Sequence, residues 1–119
     1  THEDARTMLP AALRDPDPVI LFEYTAMLNL EGVIPDDIQP GDITHAKVRR
    51  EGKDISIITY GAGVYKALEA AAELAQSGID AEVVDLRVLR PLDEKTILDS
   101  VSKTHRALIV EEAWQSVSI

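Results

Sequence analysis

With 119 residues, 45% of them apolar, the chain can bury a core the size of one ordinary domain, which excludes a wholly disordered polymer. Twenty-one acidic residues against twelve basic ones give a net charge of −9, a field that repels phosphate backbones and sets nucleic-acid partners aside. There is no cysteine, so disulfides and thiolate metal sites are excluded, and no apolar run approaches the roughly 18–20 residues that cross a bilayer.

The opening stretch THEDARTM has neither the basic start nor the apolar run of a secretory signal, which suits a soluble, cytosolic chain without a membrane partner. It reads as a helix instead. Ala5, Met8, Leu9, Ala12 and Leu13 fall on one face at helical spacing, and Thr1 with Asp4 resembles a capping pair. Pro10 sits inside, where it removes one backbone bond and predicts a kink. Asp15-Pro16-Asp17-Pro18 ends the helix, because a residue before proline avoids helical dihedrals. Residues 19–22, VILF, then predict a fully buried strand.

Residues 31–42 turn polar and rich in proline and glycine, the composition of a linker. A short edge strand is expected over 46–49, a turn over 50–54 and a second strand over 55–60. Beyond Gly61-Ala62-Gly63 a helix carries Val64, Leu68, Ala71, Ala72 and Ala75 along one stripe, and Gly78 terminates it. A strand over 81–86, a turn over 87–91, a helix over 93–103 with Ile97, Leu98 and Val101 inward, and a buried strand over 107–110 follow. Uninterrupted apolar strands alternating with helices predict an α/β fold, a mostly parallel sheet with flanking helices and right-handed crossovers. The last strand has no helix to cover it and the first helix and strand stand apart, so the sequence reads as incomplete at both ends.

Gly61 and Gly63 fill the first two places of Gly-x-Gly-x-x-Gly, the turn that admits a pyrophosphate, and Asp85 stands where a ribose-binding acid would. Lys66 occupies the third place, where close packing needs a small residue, so a plain strand-to-helix turn is the favoured reading. His2, His45 and His105 show no ligand spacing and read as surface or satisfied histidines. Glu111 and Glu112 are adjacent at a strand end, where side chains alternate between faces, and make a poor acid/base pair. Asp36-Asp37 reads as solvated, and no Gly-x-Ser-x-Gly elbow accompanies the serines. Ligands of α/β sheets gather beyond the carboxyl ends of strands, here Tyr60, Gly61, Arg87 and Glu111. The residues by themselves assign no catalytic and no cofactor-binding position.

Three stretches carry a resemblance: AALRDPDPVILFE (11–23), GVYKALEAAAELAQSGIDAEVVDLRVLRPLD (63–93) and TILDSVSKTHRALIVEEAW (96–114). In order and spacing they resemble the beta subunit of the thiamine-diphosphate-dependent 2-oxoacid dehydrogenases. The bacterial pyruvate dehydrogenase beta chain is the match they suggest, and branched-chain 2-oxoacid and acetoin dehydrogenase beta chains share much of the pattern. The run DLRVLRPLD, residues 85–93, is its most specific part. The resemblance implies that residues 1–23 close a pyrimidine-binding domain, 24–41 link, and 42–119 form a transketolase C-terminal-type domain, truncated. It implies oxidative decarboxylation of a 2-oxoacid with acyl transfer to lipoamide. Thiamine diphosphate and magnesium belong to the intact enzyme, since the family's catalytic glutamate and histidine have no counterpart here. The segment's implied share is subunit assembly and docking to the subunit-binding domain of the dihydrolipoyl acyltransferase, in a bacterial, cytoplasmic heterotetramer of two alpha and two beta chains.

The resemblance also implies a structural potassium ion at an acidic turn, with Ala12, Leu13, Asp15 and Asp17 in the matching positions. Free carbonyls at a helix end and two carboxylates suit a hard cation. Asp17 departs from the family's asparagine, and a solvated acidic turn is the competing reading. Two other classes stay open: a small nucleotide-binding Rossmann-type protein, and a free-standing interaction module.

Overall fold

The computed structural model describes residues 1–34, 36–38, 41–114, 116 and 118. They fall into two compact units, Thr1–Ile43 and Thr44–Ile119.

The first unit is built on helix α1 (His2–Ala12). Its start follows the predicted box: the Thr1 hydroxyl accepts the Asp4 amide, and the Asp4 carboxylate takes the terminal ammonium at 3.0 Å. Pro10 lies inside the helix. Of the predicted apolar stripe only Met8 is buried; Leu13 is 78% exposed. The chain passes close over α1 at two glycines. A Cβ on Gly41 would stand 2.3 Å from the Thr7 carbonyl, and one on Gly32 would meet the His2 ring at 2.7 Å. Residues 19–22 form no strand, contrary to the apolar run's promise, and Ile20 and Phe22 are 79% and 83% exposed. A buried strand needs a paired neighbour and a covering layer. The described residues of this unit supply only α1 and a short 3-10 turn at Thr25–Met27.

The second unit is an α/β sandwich. Strands β1 (Lys47–Arg50), β2 (Ile55–Thr59), β3 (Ala81–Asp85) and β4 (Ala107–Val110) lie in the order β1-β3-β2-β4. β2 is parallel to both β3 and β4, and β1 runs antiparallel along β3. The sheet is therefore mostly parallel, as expected.

Strand side chains alternate between faces, and each face has its own helix. Ile57 and Val83 pack with Ala67 and Ala71 of α2 (Gly63–Gln76). Ile58, Val84 and Leu86 pack with Ile97 and Val101 of α3 (Glu94–Thr104). β3 sits between β1 and β2 with helices over both faces, and all five of its residues are buried. Asp93 caps α3 by accepting the Thr96 amide at 3.1 Å, and His105, at φ 57, closes it.

Three burial expectations are corrected. Ala72 and Ala75 of α2 face solvent, and Leu98 of α3 is 62% exposed. β4 forms where predicted, but Leu108 and Ile109 are about half exposed. It is the sheet's outer strand on that side, and α2 and α3 are centred over β2 and β3.

Candidate functional site

The carboxyl edge of the sheet begins where β2 ends at Thr59. Gly61 turns the chain at φ 57, a conformation that suits glycine. Gly63 does something else. A Cβ there would lie 2.3 Å from the Thr59 hydroxyl, so its bareness lets the first turn of α2 settle onto β2. Thr59 is fully buried, and its hydroxyl donates to the Val110 carbonyl at 2.7 Å, tying β2 to β4. The Gly63 and Val64 amides donate back to the carbonyls of Tyr60 and Gly61 at 3.2 and 3.3 Å. Two donors that a phosphate would use are already committed.

The charged groups around this turn pair with one another. Lys66 reaches Glu112 at 3.0 Å in the open, and the Tyr60 hydroxyl donates to Glu111 at 3.3 Å. Asp85, in the place of a ribose-binding acid, instead holds Arg49 at 2.8 Å with both side chains nearly buried. Arg87 turns away to donate to the His45 carbonyl at 2.8 Å. Of the four edge residues singled out in the sequence, Tyr60, Gly61 and Glu111 come together and Arg87 is drawn aside.

A polar network that the sequence reading missed lies under α3. Glu82 is 1% exposed yet charged, and Lys103 bonds it from α3 while also reaching Glu51 at 2.9 Å. Burial pushes the Glu82 carboxyl up, but hydrogen bonds from Lys103, Ser100 and the Gly52 amide outweigh it and hold it below the usual carboxylate value. Hydrogen bonds to Glu82 and then Glu51 raise Lys103. Beside them the Ser56 hydroxyl lies 2.7 Å from both Ser100 and Thr104. A cavity of about 290 Å³ opens here between Val48, Glu51, Thr96 and Asp99. The only sequence signal was a glutamate interrupting the apolar run A-E-V-V.

In the first unit, the acidic turn after α1 is partly knitted. The Asp15 amide donates to the Ala12 carbonyl at 3.3 Å, and the Asp17 amide donates to the Asp15 carboxylate at 2.9 Å. Leu13 caps the helix between them. Each histidine has local partners: His2 contacts the Leu30 carbonyl at 2.9 Å, His45 the Thr44 hydroxyl, and His105 ends α3. Among the described residues no three His, Cys, Asp or Glu side chains gather as a metal site.

Residues 44–119 match the family described as "Transketolase, C-terminal domain". The chain belongs to that family. It is 49% identical over 113 residues to the acetoin:2,6-dichlorophenolindophenol oxidoreductase subunit beta of Cupriavidus necator, covering 95% of this chain and 33% of that protein. It is 46% identical to the pyruvate dehydrogenase E1 component subunit beta of Bacillus subtilis, covering all of this chain and 37% of the relative. The 2-oxoisovalerate dehydrogenase subunit beta of the same organism matches with the same identity and coverage. The chain thus spans about a third of the length of these relatives. Among solved structures it resembles a split-gene transketolase, described as an inactive beta4 tetramer. The TM-score is 0.62 and the identity 36%, over 70% of this chain and 27% of that one.

The Gly61–Lys66 turn is not free to grip a diphosphate. The Gly63 and Val64 amides are committed to backbone carbonyls, and Lys66 is matched by Glu112. Among the described residues no helix is long and apolar enough to cross a membrane.

Proposed function

We propose that this chain is part of the beta subunit of a thiamine-diphosphate-dependent 2-oxoacid dehydrogenase of the pyruvate dehydrogenase type. The intact enzyme decarboxylates a 2-oxoacid oxidatively and passes the acyl group to lipoamide. One observation carries this reading: similarity to such a subunit, 46% identity, runs through the whole chain, although the family match covers only residues 44–119. Residues 1–23 close the pyrimidine-binding domain, 24–41 connect, and the transketolase-type domain begins at 42. Thiamine diphosphate and magnesium sit outside this segment, which serves assembly with an alpha chain and a second beta chain and docking to the acyltransferase, in the bacterial cytoplasm.

The test uses the intact subunit with its alpha chain, thiamine diphosphate and magnesium. It should reduce 2,6-dichlorophenolindophenol in the presence of a 2-oxoacid. Assays with pyruvate, 2-oxoisovalerate and acetoin rank the substrates named for the relatives. Turnover with neither pyruvate nor 2-oxoisovalerate overturns the proposal, and turnover with acetoin alone assigns the chain to the acetoin-cleaving relatives instead.

We also infer that the acidic turn holds a potassium ion in the intact protein, through the carbonyls of Ala12 and Leu13 and the carboxylates of Asp15 and Asp17. A carbonyl or carboxylate oxygen that accepts one amide keeps a second lone pair for an ion. Potassium should raise the melting temperature of the intact subunit more than sodium does, and Asp15→Ala should abolish the difference. Equal melting temperatures in the two salts rule the site out.

A further inference from the structure

The run DLRVLRPLD is the most specific part of the family resemblance, and the site described above uses only Asp85 and Arg87 of it. We infer that it is a fastening: its charged residues strap the incoming chain, residues 45–50, onto the sheet as a separately releasable unit.

β1 needs such help. It is a four-residue edge strand with one neighbour, and its register with β3 breaks between Val48 and Arg50. A short edge strand with an interrupted ladder is weakly held by its backbone. Three residues of the run reach back to it or to the two residues before it. One oxygen of Asp85 takes both Nε and Nη2 of Arg49, at 2.9 and 2.8 Å, with the side chains 5% and 9% exposed. The guanidinium of Arg87 donates to the His45 carbonyl at 2.8 Å. Asp93 accepts the Ala46 amide at 3.0 Å through one oxygen, and caps α3 through the other.

The apolar residues of the run do the complementary work. Leu86, Leu89 and Leu92 join the cluster in which Ala46 and Val48 lie, so the strap is tied by polar groups over an apolar bed. Arg87 adopts φ 55, in the left-handed region, and the other Asp85 oxygen accepts its amide at 3.2 Å. A bulky residue tolerates this backbone only where its surroundings impose it. Here the imposed turn aims the guanidinium at the strap. Opening the strap uncovers the outer edge of β3 while leaving β2, β4 and α2 paired as they are.

Hydrogen exchange on the full chain tests this with two variants chosen to spare the fold. Arg87→Gly removes the His45 tie, and glycine suits φ 55, so the backbone gains no strain. Asp93→Asn keeps an oxygen for the Thr96 amide but presents a donor to the Ala46 amide. In each variant the amides of residues 45–50 should exchange about tenfold faster, with those of β2 and α2 unchanged. The urea midpoint should hold in Arg87→Gly. A uniform acceleration across β2 and α2, or no change at 45–50, overturns the inference.

Discussion

At the scale of single residues, Gly63 and Lys66 separate two roles that glycine-rich turns share. The misfit of Lys66 was legible in the sequence, because a long cation cannot take the place of a small packing residue. The role of Gly63 was not legible, because it depends on Thr59 lying beneath it, a contact made by the fold. Adding a methyl group forces that pair apart: Gly63→Ala should destabilise by about 1–3 kcal/mol in urea unfolding. Lys66→Ala, whose ion pair is solvated, should fall within about 0.5 kcal/mol of the parent. If both substitutions cost the same, Gly63 is not a packing glycine.

Glu82 was hidden for a related reason: a charge inside a strand becomes tolerable only when α3 delivers Lys103. Lys103→Met leaves the carboxylate buried with fewer donors. The expected loss is about 1–3 kcal/mol, below that of a fully buried pair because Lys103 is 43% exposed. The pH dependence has a definite sign. The Glu82 carboxyl is held below its ordinary 4.5, so the unfolded chain takes up its proton first as pH falls. Its contribution is full above 4.5 and is lost as pH drops through the folded value. In acid titrations followed by circular dichroism, Lys103→Met should flatten that loss, and an unchanged acid limb counts against the network.

At the scale of elements, the helices and the strands of the sheet were legible, the strand expected over 19–22 did not form, and burial was legible only in part. Helical spacing located α1, α2 and α3, and apolar runs located β2, β3 and β4, because those periods are local properties of the chain. Burial depends on which layers the rest of the molecule supplies. β3 is covered on both faces and β4 is not, though AEVVD looks less apolar than ALIV. The segment VILF failed as a strand for want of a partner, since pairing is a property of two segments. Substitution should report this contrast directly. Ile57→Ala, under α2, should cost about 2–5 kcal/mol, whereas half-exposed Ile109→Ala should cost about 1 kcal/mol or less. Comparable losses at the two sites would mean that β4 is covered in solution.

At the scale of the whole molecule, the resemblance in the sequence and the family match agree on the fold. What they leave to physics is how such a domain meets its partners. A net charge of −9 on 119 residues is a field rather than a contact. Individual acids at the surface are already matched, Glu112 by Lys66 and Asp99 by Lys95. Their exposure keeps each pair weak, so attraction for a basic partner arises from the unbalanced remainder acting together. Fields of this kind act on association rate and are screened within about 8 Å at physiological salt. If the docking role proposed above holds, this acidic segment should bind the acyltransferase's subunit-binding domain with an association rate that falls about tenfold or more between 0.05 and 0.5 M salt, while dissociation changes little. Surface plasmon resonance across that range separates the two rates. Binding whose salt dependence lies entirely in dissociation would place the recognition in a few desolvated ion pairs and remove the acidic surface from the account.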